Sequence, residues 1–309
     1  FQEILMSKDK KKYSNTSILS DQSWKNIDPE KRFFEPTYSG ATSFLRRPYS
    51  IAFDSADIVV VGIPFDGATT YRPGCRLGPR AVRAASVQLA ELPSFPFGVD
   101  PFSSLKVIDS GDFFLNPHQP ETIISGIYEQ SSAIIGSGAS LLAIGGDHFI
   151  SYPLLKAHAK AFGPVSLLQF DAHCDTWQSE GEFDHGTMFL RAIKEGLIDV
   201  ESSMQVGIRT HNDINVGIKQ ITSPQIHEMG TSAVLEQIQA HLKGRKVYLS
   251  FDIDVLDPAF APGTGTPVSG GLASWQVLQI LRGLTSLNII GFDLVEVSPP
   301  FDHAEITSI

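Results

Sequence analysis

From about residue 57, the sequence alternates short apolar, β-branched runs with stretches of helical character. Seven runs are of this kind: Asp57–Ile63, Leu105–Asp109, Leu141–Gly145, Val165–Phe170, Met204–Ile208, Val247–Phe251 and Ile289–Val295. Between them lie helical stretches such as Tyr152–Phe162, Thr231–Leu242 and Ser274–Leu284. Strands that are apolar throughout and separated by helices are typical of a parallel sheet covered on both faces. The sequence therefore predicts an α/β fold.

The same pattern predicts one large domain preceded by an arm. A chain of 309 residues is long enough to bury a large core. No internal repeat or interior linker interrupts residues 41–309, which we predict to form a single catalytic domain. Residues 1–40 contain a lysine cluster, many Ser and Asn residues and little apolar periodicity. We expect this arm to lie on the surface or on a neighbouring subunit.

Charge and cysteine content restrict the partners. The formal net charge of −10 argues against nucleic acid, whose binding needs Lys and Arg to neutralise phosphates. The same charge is compatible with a cationic small substrate, although it can also serve solubility alone. Cys75 and Cys174 form neither a disulfide framework nor a Cys-x-x-Cys pair, so we expect a reduced, cytoplasmic setting. We expect no membrane partner, because no run approaches the ~18 apolar residues of a membrane helix and no signal-peptide pattern begins the sequence.

Residues able to do chemistry gather where three of the predicted strands end. In open parallel sheets, ligands bind beyond the carboxyl ends of the strands. Because side chains alternate across a strand, residues two apart share a face, and we expect one pocket to collect them. The residues are His148 after the first strand, Asp171, His173 and Asp175 at the second, and Asp252 and Asp254 at the third.

Four carboxylates in one pocket indicate bound cations, because they cannot all stay ionised beside each other alone. A lone Asp-x-Asp usually caps a helix, but three such clusters on one sheet favour a metal site. Two imidazoles and four carboxylates without a thiolate suit a moderately hard divalent ion, and Mn²⁺ fits best. Four carboxylates balance two such ions, which predicts a two-metal cluster with a bridging carboxylate and hydroxide. Cys174 should point away from the ligands and belong to the core.

Two further residues belong to the predicted pocket. His185 follows Asp175 by ten residues in a loop and is a candidate proton shuttle, with a surface histidine as the alternative. Glu296 closes an apolar strand without a nearby basic residue. Such an acid needs a partner in the pocket, and a cationic substrate is one possibility.

Together these motifs resemble those of the ureohydrolase family of arginases and agmatinases. The matching segments are Gly145–His148, Asp171–Asp175, Ser250–Pro258 and Asp293–Glu296, and the resemblance covers roughly Phe44 to Ile309. It implies a single three-layer α/β/α domain with an eight-stranded parallel sheet, two Mn²⁺ ions per subunit, and a trimer or hexamer. It also implies a helix beyond Ile309, which this sequence does not contain.

The resemblance further implies a role for each matching residue. One manganese would take His148, Asp171, Asp175 and Asp252, and the other would take His173, Asp171, Asp252 and Asp254. His185 would be the proton shuttle, and Glu296 would hold the guanidinium. We hypothesise that a hydroxide bridging the ions attacks the guanidinium carbon, while Asp175 passes a proton to the leaving amine.

The expected substrate is agmatine, which would yield urea and putrescine. In arginases an Asn two positions after the Asp-x-His-x-Asp motif helps to bind the substrate carboxylate, and Trp177 stands there instead. Residues 182–189, 206–210 and 262–267 are similar to bacterial-type agmatinases. Guanidinobutyrase and guanidinopropionase remain alternatives because Arg209 could supply a carboxylate contact, and arginase is a further one.

Two other function classes predict a different residue set. A zinc deacetylase of the same fold would use one metal with an Asp-x-His and one further Asp, which leaves His148 without a role. A catalytically inactive binding partner usually lacks a metal ligand, and no position of the set is missing here. A two-metal phosphoesterase is not excluded by the residues alone. The segment Tyr71–Arg83 fits no phosphate loop, and its glycines and prolines predict a loop before a helix.

Overall fold

A computed structural model describes residues 36–90, 92–179, 181 and 183–309. The predicted arm therefore lies outside the described residues except for positions 36–40. The described chain forms one sheet of eight strands, all paired in parallel, in the order β2-β1-β3-β8-β7-β4-β5-β6. The strands are β1 Ile58–Ile63, β2 Val107–Asp112, β3 Ser140–Gly145, β4 Ser166–Phe170, β5 Met204–Ile208, β6 Lys219–Thr222, β7 Lys246–Asp252 and β8 Asn288–Val295.

Seven of these strands coincide with the predicted apolar runs, and the eighth does not. Strand β6 reads Lys-Gln-Ile-Thr, and only Ile221 is buried. It lies at the edge of the sheet and pairs with β5 alone. Three of its four residues are not buried, so no apolar run marks this strand in the sequence. The resemblance, not the hydrophobic pattern, predicted the correct strand count.

Helices cover both faces of the sheet. Alternate residues of the central strands supply two separate apolar cores, as with Leu167 in one and Leu168 in the other. This alternation is the packing of a three-layer α/β/α domain, so the predicted fold class is confirmed. The α-helices are α1 Gly78–Ser86, α2 Ile123–Gly136, α3 Ser151–Phe162, α4 Met188–Lys194, α5 Ser223–Leu242 and α6 Ser274–Gly283. No described helix is long and apolar enough to cross a membrane.

The segment Tyr71–Arg83 forms a loop followed by a helix, as predicted, but Arg83 has a role that the sequence analysis did not assign. A short 3₁₀ turn at Cys75–Leu77 leads into α1, which carries a proline in its first turn. Arg83 is buried on α1 and donates to both carboxylate oxygens of Asp109, at 2.8 and 3.0 Å. It also donates to Asp112 at 2.5 Å. This ion pair anchors α1 to strand β2.

Candidate metal centre

Four adjacent strands in the middle of the sheet bring the candidate ligands together. His148 follows β3, Glu296 follows β8, Asp252 ends β7 and Asp171 follows β4. These strands are neighbours in the order β3-β8-β7-β4. All six predicted ligands therefore meet at one sheet edge. The remaining members, Asp175, His173 and Asp254, lie in the loops that leave these strands.

The predicted reason for this convergence was partly wrong. Strand β4 ends at Phe170, so residues 171–175 do not alternate as a strand. Instead, Asp171 Oδ1 accepts from the amide of His173 at 2.6 Å, and Asp252 Oδ1 accepts from the amide of Asp254 at 2.8 Å. Asp175 then adopts a left-handed conformation with φ of 51°. These side-chain turns, and not strand pleating, direct the ligands into one space.

The first group of ligand atoms surrounds the ring of His148. Its Nδ1 lies 3.1 Å from Asp171 Oδ2, 2.9 Å from Asp175 Oδ2 and 3.1 Å from Asp252 Oδ2. Despite these short distances, this buried nitrogen makes no hydrogen bond within the described chain. Four ligand atoms that approach each other without hydrogen bonding are arranged as the donors around a single cation would be.

A second group forms around His173. Its Nδ1 lies 3.0 Å from Asp254 Oδ2 and 3.4 Å from Asp171 Oδ1. The buried Asp254 Oδ2 also lacks a hydrogen-bond partner among the described residues. Asp171 thus faces the first group with Oδ2 and the second with Oδ1. That is the geometry of a carboxylate that bridges two ions.

The electrostatics of the cluster also favour bound cations. Burial, together with the charge of Asp171, raises the pKa of Asp175 to about 7. Burial and the neighbouring carboxylates Asp254 and Asp171 raise the pKa of Asp252 well above its usual range. Cations would remove this penalty. The orphaned atoms and the nitrogen and oxygen donors therefore fit one or two divalent ions.

Ser250 and Asp293 orient His148 from behind. Ser250 Oγ donates to Asp293 Oδ1 at 2.7 Å, so it accepts from His148 Nε2 at 2.8 Å. The ring proton then resides on Nε2, which leaves the Nδ1 lone pair directed at the carboxylates. Asp293 is completed by Tyr248 Oη at 2.6 Å and Ser151 Oγ at 2.8 Å. The sequence analysis assigned no role to Ser250 and Asp293, although both lie within the matching motifs.

The two glycines before His148 allow the backbone to pass close to a neighbouring loop. A Cβ at Gly146 would overlap the carbonyl of Phe65. Asp147 then accepts from the amide of Ala68 at 2.7 Å and from that of Phe149 at 3.2 Å. The loop that carries Thr70 is thereby tied to the turn that carries His148.

His185 lies between Thr70 and Glu296. Its Nδ1 is 2.7 Å from Glu296 Oε1, and its Nε2 accepts from the Thr70 amide at 3.1 Å. The Thr70 hydroxyl oxygen is also 2.8 Å from Nε2, and it can accept a hydrogen bond from this nitrogen when the nitrogen carries a proton. Burial lowers the pKa of His185, but the hydrogen bond and charge of Glu296 outweigh it and raise the pKa to about 9. The ring is thus supported in both protonation states, as proton transfer requires.

Glu296 has one oxygen occupied and one free. Oε1 accepts from His185 and from the amide of His148 at 2.8 Å. The buried Oε2 makes no hydrogen bond within the described chain. A Cβ at Gly265 would lie 3.3 Å from Oε2, so the glycine keeps this side uncrowded. A buried carboxylate oxygen without a donor is suited to a cationic ligand.

A cavity of about 320 Å³ opens above the cluster. Its lining residues are Thr70, His173, Asp175, Trp177, Asp184, His185, Gly186, Asp252 and Thr266. The Trp177 ring forms one wall, 6.0 Å from the ring of His173 between centroids. His185 and Trp177 thus line the same cavity as the candidate ligands His173, Asp175 and Asp252.

Arg209 is not placed to bind a substrate carboxylate, the contact that the sequence analysis considered for it. Its guanidinium donates to backbone carbonyls, including Asp254 at 2.6 Å and Val268 at 2.8 Å, and it does not line the cavity. Because its N–H groups bind the loop that follows β7, it cannot supply a contact to a substrate carboxylate without breaking them. Cys174 is buried, as expected, and its Sγ accepts from Asn212 Nδ2 at 3.0 Å.

Comparison with known proteins agrees with this site. A family model described as the arginase family matches residues 56–309. An agmatinase of Chromobacterium violaceum is 52% identical over 278 residues, which cover 89% of this chain and 86% of the relative. A crystal structure of a hypothetical agmatinase from Burkholderia thailandensis superposes with a TM-score of 0.90 at 53% identity, covering 94% of this chain and 93% of that one. Proclavaminate amidino hydrolase from Streptomyces clavuligerus gives a TM-score of 0.85 at 40% identity, covering 89% and 94%.

Proposed function

The chain belongs to the arginase family, and we propose that it hydrolyses agmatine to putrescine and urea. The family is metal-dependent, and a His/Asp cluster able to hold metal is present. The observation that carries the proposal is the free Oε2 of Glu296, which lies buried beside that cluster. A guanidinium presents planar N–H groups that match a carboxylate, so Glu296 holds the scissile group.

The ligand set consists of the six residues at the sheet edge. His148, Asp171, Asp175 and Asp252 would hold one Mn²⁺ ion, and His173, Asp171, Asp252 and Asp254 would hold the other. Among the observed contacts, Asp171 supports bridging directly, since it faces both groups, whereas Asp252 contacts the His148 group. When bound, two such ions would lower the pKa of a shared water from 15.7 towards ~7 and so supply the nucleophile.

The residues of the chain perform the other tasks. Glu296 orients the guanidinium through Oε2 and stays fixed through Oε1. His185 exchanges protons with solvent, because its ring hydrogen-bonds Glu296 and lines the cavity. Asp175 passes a proton to the leaving amine. Residues 41–309 form the catalytic domain, which acts in a homo-oligomer, trimer or hexamer, in the cytoplasm.

The choice of agmatine follows from what the cavity lacks. Among the described residues that line it there is no Lys or Arg to pair with a substrate carboxylate. Trp177 occupies the wall, and Arg209 is engaged by backbone carbonyls. A substrate carboxylate without a basic partner in this cavity would bind poorly. The second cationic group of agmatine, its ammonium, needs no such partner. Guanidinobutyrate and guanidinopropionate are disfavoured on the same ground.

The test is a urea-release panel in added Mn²⁺, with agmatine, arginine, guanidinobutyrate, guanidinopropionate and guanidine as substrates. We expect kcat/KM for agmatine to exceed that for arginine by about 10²-fold or more. A preference for arginine would refute the argument from the cavity wall. A preference for guanidinobutyrate or guanidinopropionate would leave the proposed mechanism intact and overturn only the substrate.

A further inference from the structure

The cavity carries one carboxylate that the metal cluster does not use. Asp184 precedes His185 and lines the cavity while remaining half-buried, whereas the cluster carboxylates are buried. Its Oδ1 accepts from the amide of Gly186 at 2.9 Å, which holds the side chain in place. No basic side chain of the described chain pairs with it, and its Oδ2 has no protein donor there.

An aromatic ring faces the same position. A Cβ at Gly186 would lie 3.3 Å from Cε3 of Trp177 and 3.4 Å from Oδ1 of Asp184. The indole and the carboxylate therefore flank one residue that has no side chain of its own. The Trp177 amide also donates to the Gly186 carbonyl at 3.0 Å, which fixes the two walls relative to each other. Both side chains line the cavity.

A carboxylate next to an aromatic face is a site for an organic cation. The carboxylate accepts charge-assisted hydrogen bonds from an ammonium group, and the ring adds attraction through its π-electrons. We propose that Asp184 and Trp177 form the subsite for the second cation of the substrate, the ammonium group at the end remote from the guanidinium. This inference rests on the proposed function, because it presumes that the guanidinium lies at Glu296.

The arrangement also explains selection against anionic tails. A guanidino substrate that ends in a carboxylate would place its negative charge beside Asp184, where no described Lys or Arg lines the cavity. Repulsion by Asp184 would thus act together with the missing positive partner. Asp184 becomes a specificity-determining residue, and its contribution depends on the charge at the distal end of the substrate.

The experiment compares two substrates that differ only in the distal group, agmatine and n-butylguanidine. Asp184→Asn keeps the oxygen that accepts from Gly186 and removes the charge. We expect its kcat/KM for agmatine to fall about tenfold or more, mainly through KM, as for the loss of a charged hydrogen bond. The value for n-butylguanidine should stay within about twofold of wild type. Asp213→Asn is the matched control, because the Asp213 side chain is 96% exposed and lies outside the cavity lining.

The outcomes separate this inference from the proposed function. An equal loss with both substrates would mean that Asp184 merely positions His185, and it would overturn the subsite. Unchanged kinetics with both substrates would overturn it as well. Asp184→Ser provides a second variant without the carboxylate if the Asn variant does not fold. A wild-type enzyme that hydrolyses guanidinobutyrate in preference to agmatine would instead refute the proposed substrate, whatever the variants do.

Discussion

Nδ1 of His185 lies 2.7 Å from Oε1 of Glu296, and this hydrogen bond joins the proposed proton shuttle to the proposed guanidinium holder. The same oxygen accepts from the amide of His148, a proposed metal ligand. One carboxylate thus fixes the positions of the metal-binding turn and the shuttle relative to the substrate. Its second oxygen stays free for the substrate.

Replacing Glu296 by Gln should abolish most activity without removing metal. The amide keeps an oxygen acceptor for His185 but loses the charge that attracts the guanidinium. We expect kcat/KM for agmatine to fall by about 10²-fold or more, measured by urea release. Metal content, measured by atomic absorption, should equal that of the wild type. Near-normal activity in this variant would contradict the role of Glu296.

The same variant should change the titration of His185. In metal-free protein, the pKa of His185 is raised to about 9, since the effect of Glu296 outweighs that of burial. The carboxylate favours the protonated ring, so Glu296→Gln should lower this pKa and make the ring neutral at a lower pH. Histidine NMR of chelator-treated protein measures the shift, with Glu121→Gln as an exposed control. An unchanged pKa would disprove the coupling.

Metal stoichiometry should distinguish Asp171 from Asp254. Asp171 contacts both ligand groups, whereas Asp254 contacts only the His173 group. We expect Asp171→Ala to lose both ions on dialysis and Asp254→Ala to retain one, because Asp171 serves both proposed sites and Asp254 serves one. Elemental analysis per subunit is the measurement, with Asp213→Asn as control. Full occupancy in Asp171→Ala would exclude the proposed bridge.

Ser250 should control metal affinity although it is not a ligand. Ser250→Ala leaves Nε2 of His148 without its acceptor, so the ring is no longer held with Nδ1 facing the carboxylates. Loss of such a partner typically weakens metal binding by about 10–100-fold. Tyr248→Phe removes a different donor from Asp293 and leaves the contact between Ser250 and His148, so its effect should be smaller. Competition with a chelator measures both affinities. Equal effects of the two variants would argue against a role of Ser250 in orienting His148.

Arg83 should matter for stability and not for catalysis. Arg83→Met leaves the fully buried Asp109 without its ion-pair partner, which should cost about 3–5 kcal/mol in the free energy of unfolding. Arg80→Met on the same helix changes an exposed residue and should cost less than about 0.5 kcal/mol. Denaturant unfolding of both variants provides the comparison. A similar stability for the two would show that the buried ion pair contributes little.

The amino-acid sequence alone determined the class of fold and the chemistry of the site. Five strands, β1, β3, β4, β5 and β7, are almost entirely buried and largely apolar, because both of their faces are covered. The ligands follow directly on those strands, and parallel strands end at a common edge, so their convergence follows from topology. The choice of His and Asp residues without thiolates likewise indicates the kind of ion without any coordinates.

The tertiary structure decided how these residues are oriented and which partners they have. Ser250 and Asp293 are register partners on β7 and β8, a pairing of residues 43 positions apart that no local pattern specifies. The polar edge strand β6 and the engagement of Arg209 by backbone carbonyls are equally invisible in the sequence. Hydrophobic periodicity records only whether a side chain is buried. Hydrogen-bond partners depend on strand order, register and loop conformation, which are set when distant segments pack together.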